Sequence, residues 1–252
     1  MACKRSPVRL RYSPLYLTKL SMKNILLLVV LAFVFSNCKK ASNKSNESSE
    51  MVDIDGNKYP IVKIGEKTWS AQNLNVSKYR NGDIIPQVTD PDEWDALTTG
   101  AWCYYENVTD NGIVYGKLYN RYAVLDPRGL APAGWHVATF NEWEALANTL
   151  GGTANAGDKM KNLSSNLWQS PLPTSSNSSG FSALPGGCRY EGALFLFKEE
   201  RGFWWSSTDA GPDYAGPDYA NINSRAIRDN DKFLFLDYIV PNVGMSVRCV
   251  KD

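Results

Sequence analysis

Apolar and polar positions follow a short period from Val52 onward, and the first stretch reads as strands. Val52-Asp53-Ile54 is a strand signal and Asp55-Gly56 a tight turn. Lys58 to Ile64 is the return strand, and Gly65-Glu66 turns the chain into Lys67-Thr68-Trp69-Ser70. The three make a β-meander, in which Pro60 predicts an edge or at least a non-donating position. Asn81-Gly82-Asp83 is a further turn. Asp90 to Leu97 reads as a short helix, with Asp90 as its cap and Pro91 in the first position. Ala101 to Tyr105 is an aromatic strand, Thr109 to Gly112 a turn, and Leu118 to Leu125 a helix of about two turns.

The helical pattern is clearest between Ala131 and Gly152. The strand signal Trp135 to Ala138 ends at Thr139, which caps a helix, and Glu142 reaches back to the Thr139 backbone as a capping box. Trp143, Leu146, Ala147 and Leu150 then recur at i, i+3, i+4 and i+7 as one apolar stripe, and Gly151-Gly152 stops the helix. Ser164 to Gly180, rich in Ser, Asn and Pro, is a surface loop. The last third reads as short strands at Phe181–Leu184, Ala193–Phe197, Gly202–Ser206, Arg225–Ile227, Phe233–Ile239 and Ser246–Val250. The pentapeptide Gly211–Ala215 is repeated at once as Gly216–Ala220, a loop expansion too short for a solenoid repeat. Strands and helices that do not alternate predict an α+β fold with a mainly antiparallel sheet.

Residues 1–37 read as a secretory signal, not as part of the fold. Eleven apolar residues, Ile25 to Phe35, follow Met22-Lys23-Asn24, too few to span a bilayer. Residues 1–21 read as an over-long start ahead of Met22. Ser36-Asn37-Cys38 resembles a bacterial lipoprotein cleavage site, which predicts lipidation at Cys38 and firm anchoring by its acyl chains. Residues 38–51 then form a polar tether, and residues 52–252 the domain. The six Lys/Arg of residues 1–37 leave 21 of the 27 basic residues against 26 acidic ones, a net charge of −5 on the mature chain. That balance argues against nucleic acid as a partner class. An exported chain meets an oxidising compartment, so one disulfide among Cys103, Cys188 and Cys249 is expected, with all three pairings open. A single histidine and no CxxC argue against structural zinc.

Several motifs occur together in order: Asp53-Ile54-Asp55-Gly56-Asn57, Ile64-Gly65 before Trp69, Gln72-Asn73-Leu74, Tyr79-Arg80-Asn81-Gly82, Gly116-Lys117-Leu118-Tyr119-Asn120, Ala131 to Val137, Ser179 to Gly187, Trp205-Ser206-Ser207-Thr208 and Val247 to Asp252. Together they resemble the Fibrobacter succinogenes major paralogous domain family across residues 52–252. The resemblance implies a C-type-lectin-like fold, shared with the formylglycine-generating enzymes, in an exported, lipid-anchored protein of undefined biochemical activity. It also implies a Cys103–Cys249 disulfide and a free Cys188, because Cys103 and Cys249 stand where the family motifs often carry cysteine. Cys188 itself stands where an aromatic is usual.

His136 is the one candidate general base, but no nucleophile motif accompanies it, and it reads as a hydrogen-bonded structural residue. Cys188 and Cys249 lie too far apart to resemble the cysteine pair of the formylglycine-generating enzymes. Asp209, Asp213, Asp218, Asp229 and Asp231 gather in the late loops, where calcium is the one cofactor to consider, although no EF-hand spacing or sugar-reading triplet is present. Trp204, Trp205, Tyr214 and Tyr219 are the aromatics nearest those loops and the expected ligand contacts; of Trp204 and Trp205 one should face the core and the other away. The reading is a lipid-anchored, non-catalytic binding module for a glycan or protein at the outer membrane. An envelope enzyme or enzyme accessory on the same fold, and a structural surface protein, are the alternatives.

Overall fold

The meander is present as β1 (Glu50–Val52), β2 (Lys58–Ile64) and β3 (Lys67–Ser70), paired antiparallel in sequence order in the computed structural model. The structure describes residues 49–191, 194–210 and 223–252. Cys38 and the leader, with Asp213, Tyr214, Asp218 and Tyr219, lie outside the described residues. Pro60 is not on an edge strand, since β2 lies between β1 and β3. Its position is still non-donating: its carbonyl accepts the Ala71 amide one residue past the end of β3. Asp53 knots the first turn, accepting from the Asp55 and Asn57 amides and from the Tyr59 hydroxyl. The last strand, β12 (Cys249–Lys251), inserts between β3 and β6 (Trp135–Val137), giving the order β1-β2-β3-β12-β6.

The middle of the chain departs from the reading in several places. α1 (Pro91–Asp95) is capped by Asp90 as expected. β4 (Trp102–Cys103) pairs not with a neighbour in the meander but with β5 (Leu118–Tyr119), so Leu118 and Tyr119 are strand, and the helix that follows, α3 (Arg121–Leu125), starts later. Thr109 to Gly112 is not a turn but the start of α2 (Thr109–Tyr115). Gly112 serves packing there: a Cβ on it would meet the Tyr104 ring at 2.1 Å.

α4 (Phe140–Thr149) carries the capping box complete, with the Glu142 amide bonded to the Thr139 hydroxyl and the Glu142 carboxylate returning to the Thr139 amide. Its stripe buries Trp143, Leu146, Ala147 and Leu150 in a cluster with Trp69, Phe181 and Trp204. Trp143 lies 5.0 Å from Trp69 and 5.6 Å from Phe181, centroid to centroid. A second helix, α5 (Thr153–Met160), follows directly after Gly152. Polar residues on it hid it from an apolar-periodicity reading, and Gly157 lets it approach the next sheet, since a Cβ there would stand 2.4 Å from the Phe233 carbonyl oxygen.

The second sheet runs β11-β10-β9-β7-β8, from β7 (Gly186–Arg189), β8 (Phe195–Lys198), β9 (Arg201–Trp205), β10 (Ser224–Arg228) and β11 (Leu234–Asp237). All neighbours are antiparallel except β7 and β9. Phe181–Leu184 is not a strand; its one ladder-type pairing is the isolated bridge of Ala183 with Lys161. The fold is α+β.

Buried cations tie the loops to these sheets. Arg248 donates to the Ser70, Phe181 and Ser182 carbonyls and to Asn73 Oδ1. Arg189 holds the carbonyls of Val88, Thr89 and Asp90. Lys161 holds those of Asp229 and Asp231. A buried guanidinium satisfies several carbonyls at once, which irregular backbone needs because it has no ladder of its own.

The expected Cys103–Cys249 disulfide does not exist: Cys103, Cys188 and Cys249 are free and buried. Cys103 packs with Val88, Trp94 and Leu118, whereas Cys249 sits in the larger cluster with Trp205 and Met245. The two thiols thus belong to different parts of the core. Burial pushes all three thiols up to about 12. Native protein should therefore react slowly with a thiol reagent, while protein unfolded without reductant should be alkylated at all three positions on peptide mapping. Recovery of any disulfide-linked pair from them would contradict the structure.

Candidate functional site

Trp204 and Trp205 are fully buried, so neither is a ligand contact. Alternation does send them to opposite faces of β9, but both faces are core at that end of the sheet. Trp204 donates to Asn73 Oδ1 at 2.9 Å, and Trp205 to the Tyr119 carbonyl at 2.7 Å.

The described aspartates do not converge either. Asp209 pairs with Arg121. Asp229 and Asp231 present backbone carbonyls to the Lys161 ammonium, which stands where a cation would otherwise be wanted. Their carboxylates turn back to the Asn230 and Phe233 amides. Among the described residues no three His, Cys, Asp or Glu side chains are placed to hold a metal.

His136 lies between two carboxylates, with Nδ1 2.6 Å from Asp252 and Nε2 2.9 Å from Glu142. Glu142 also pairs with Lys67 at 3.0 Å. Burial opposes ionisation of Glu142, but the Thr139 amide, Lys67 and His136 outweigh it and its pKa is lowered. A carboxylate with a depressed folded pKa stabilises the fold above its unfolded pKa, and that contribution is lost as pH falls toward the folded value. Glu142→Gln should thus cost about 1–2 kcal/mol at neutral pH. It should also flatten the acid limb of the stability profile; an unchanged acid limb in urea titrations would refute this.

The exposed chemistry of the last third lies instead at the far end of the β9–β10 pair. Arg201 and Arg228 are directly opposed partners, one step beyond Gly202 and Ile227. Next along the same face come Phe203 and its partner Ala226, and then Phe235 across on β11. Arg201 stands over the Phe197 ring at 3.9 Å and Arg228 over Phe235 at 4.3 Å. Phe197 contacts Phe203 at 6.0 Å, and Phe233, 40% exposed, contacts Phe235 at 5.7 Å. The result is a half-buried aromatic face carrying two guanidiniums. The end of the hairpin is pinned by the Asp229 amide on the Glu200 carbonyl at 2.7 Å and by the Lys161 clamp behind it.

Sequence reasoning missed Arg201 and Arg228. Both flank strands that are legible in the sequence. Only the register could bring them together, and the long connection from Ser206 to Asn223 leaves the register unreadable.

The chain belongs to the Fibrobacter succinogenes major domain family, which matches residues 62–251. No curated protein and no solved structure matches it.

Proposed function

We propose that this member of the Fibrobacter succinogenes major domain family is an exported envelope protein, lipid-anchored through Cys38 in the outer membrane. Its C-type-lectin-like domain binds a glycan or protein ligand without catalysing a reaction. The leader pattern Ile25–Phe35 followed by Cys38 supports export and anchoring. The C-type-lectin-like assignment rests on the family resemblance. The observation that carries the binding reading is the open face of the second sheet, where Phe197, Phe233 and Phe235 stay partly exposed beside two arginines. Aromatic area that is rigid and only partly covered suits sugar rings and protein hot spots. No helix among the described residues is long and apolar enough to cross a membrane.

A glycan-array screen of the full chain, run with calcium and with chelator, tests the binding role. The expected result is a hit that survives chelation and weakens about tenfold or more in Phe235→Ala. A hit that needs calcium, or one indifferent to Phe235, would move the site elsewhere. The anchor is tested separately: Cys38→Ser should release the protein from the membrane fraction.

A further inference from the structure

The two arginines of the second-sheet face form no ion pair among the described residues. Arg201 and Arg228 stand directly opposite each other across β9 and β10. Like charges in that relation repel. Neither guanidinium has a hydrogen-bond or ion-pair partner among the described residues. Each has one planar face covered by a phenylalanine ring, at 3.9 Å and 4.3 Å, which leaves the N–H edges free. Asp237 is a carboxylate of this sheet that feels both arginines. Burial pushes its pKa up, and the Tyr238 amide and then the two arginines only partly offset that.

The backbone is bent to build this arrangement. Phe197 has a φ of +68°, a region that bulky L side chains rarely adopt. Gly187 on the neighbouring strand has a φ of +63°, and a Cβ on it would meet the Leu196 carbonyl oxygen at 2.4 Å. The kinked pair of strands delivers the Phe197 ring beneath Arg201 and against Phe203.

We infer that Arg201 and Arg228 form an anion clamp, and that the ligand of this face is an acidic glycan, a polysaccharide whose sugars carry carboxylate or sulfate groups. This rests on the binding-module reading above. Guanidinium forks match planar carboxylate and sulfate oxygens two at a time. The phenylalanine floor beside them suits the apolar face of a sugar ring. The two guanidiniums lean to opposite sides, Arg201 toward Phe197 on β8 and Arg228 toward Phe235 on β11, so successive acidic groups of one polymer supply each with the charge that the cross-strand pair lacks.

The test titrates the full chain with polygalacturonate, dextran sulfate, neutral dextran and phosphatidylglycerol vesicles. It compares wild type, the double variant Arg201→Gln/Arg228→Gln, the double variant Arg201→Lys/Arg228→Lys and the control Lys63→Gln, each checked for native circular dichroism. The acidic polysaccharides should bind wild type and the control at least about tenfold tighter than neutral dextran. The glutamine variant should lose about tenfold or more. The lysine variant, which keeps the charge but not the fork, should lose most of that as well. Acidic-polysaccharide binding unchanged in the glutamine variant overturns the clamp. Binding of neutral dextran alone, equal in all variants, overturns the clamp and leaves the binding module standing. Arginine-dependent binding of vesicles without polysaccharide assigns the clamp to a lipid headgroup and overturns the glycan. No binding by wild type in any arm, with a blank glycan array, removes both readings.

Discussion

Arg248→Met should destabilise the domain by about 3–5 kcal/mol, although the substitution nearly conserves volume. Arg248 is fully buried, and its guanidinium serves four acceptors, three of them backbone carbonyls from two separate segments. Those segments, Ser70 at the end of β3 and Phe181–Ser182 in the loop before β7, have no common ladder. Methionine fills the space but leaves Ser70, Phe181 and Ser182 carbonyls dry and unpaired. Burial pushes the guanidinium down to about 9, so it remains charged at neutral pH, and hydrogen bonds from a charged donor are the strong ones. The measurement is a urea titration: the midpoint should fall at unchanged slope. A loss under about 1 kcal/mol would show that water replaces the guanidinium at those carbonyls.

Trp204→Ala should cost a comparable amount, about 3–5 kcal/mol, for a different reason. Trp204 packs against Trp143 at 6.2 Å and Phe181 at 5.8 Å, so alanine leaves a cavity walled by rings that cannot collapse into it. Trp204→Phe keeps most of the volume and loses only the N–H to Asn73, a cost of about 1 kcal/mol. The two large effects are not independent. Asn73 Oδ1 accepts from Trp204 Nε1 at 2.9 Å and from Arg248 Nε at 2.8 Å. Its amide nitrogen also donates to the Tyr115 carbonyl at 2.8 Å and to the Ser246 hydroxyl. In a double-mutant cycle of Trp204→Phe with Arg248→Met, the combined loss should therefore differ from the sum by about 0.5 kcal/mol or more. Strict additivity would mean that Asn73 does not couple them.

Local signals in the sequence carried far where a residue's partner lay within a few positions. Thr139 and Glu142 are three residues apart, and the capping box they predict is present. The β1–β2–β3 meander follows from short connections, Asp53 to Asn57 and Gly65-Glu66, and it too is present. Reading failed where the reason for a residue is a distant neighbour. Gly112 looks like a turn glycine until the Tyr104 ring beside it is known. Trp205 looks available for contact until Tyr119 and Met245 cover it. The family motifs divide the same way. Asp53 and Arg248 turn out to hold turns and loops together, as does Arg80, which donates to the Ala131 and Trp135 carbonyls. They mark the fold. Arg201 and Arg228 lie outside those motifs, and their meaning comes from a register that no short stretch encodes.

The placement of β12 sets the timing of assembly. Residues 249–251 occupy the middle of the first sheet, between β3, which ends at residue 70, and β6, which ends at residue 137. During synthesis β3 and β6 therefore wait with open edges while more than a hundred further residues leave the ribosome. The Arg248 clamp arrives at the same late moment as the strand. Pairings this distant are slow to form. A nascent chain of this design stays without a finished first sheet until its last few residues are free, so the step that locks the domain follows the end of synthesis.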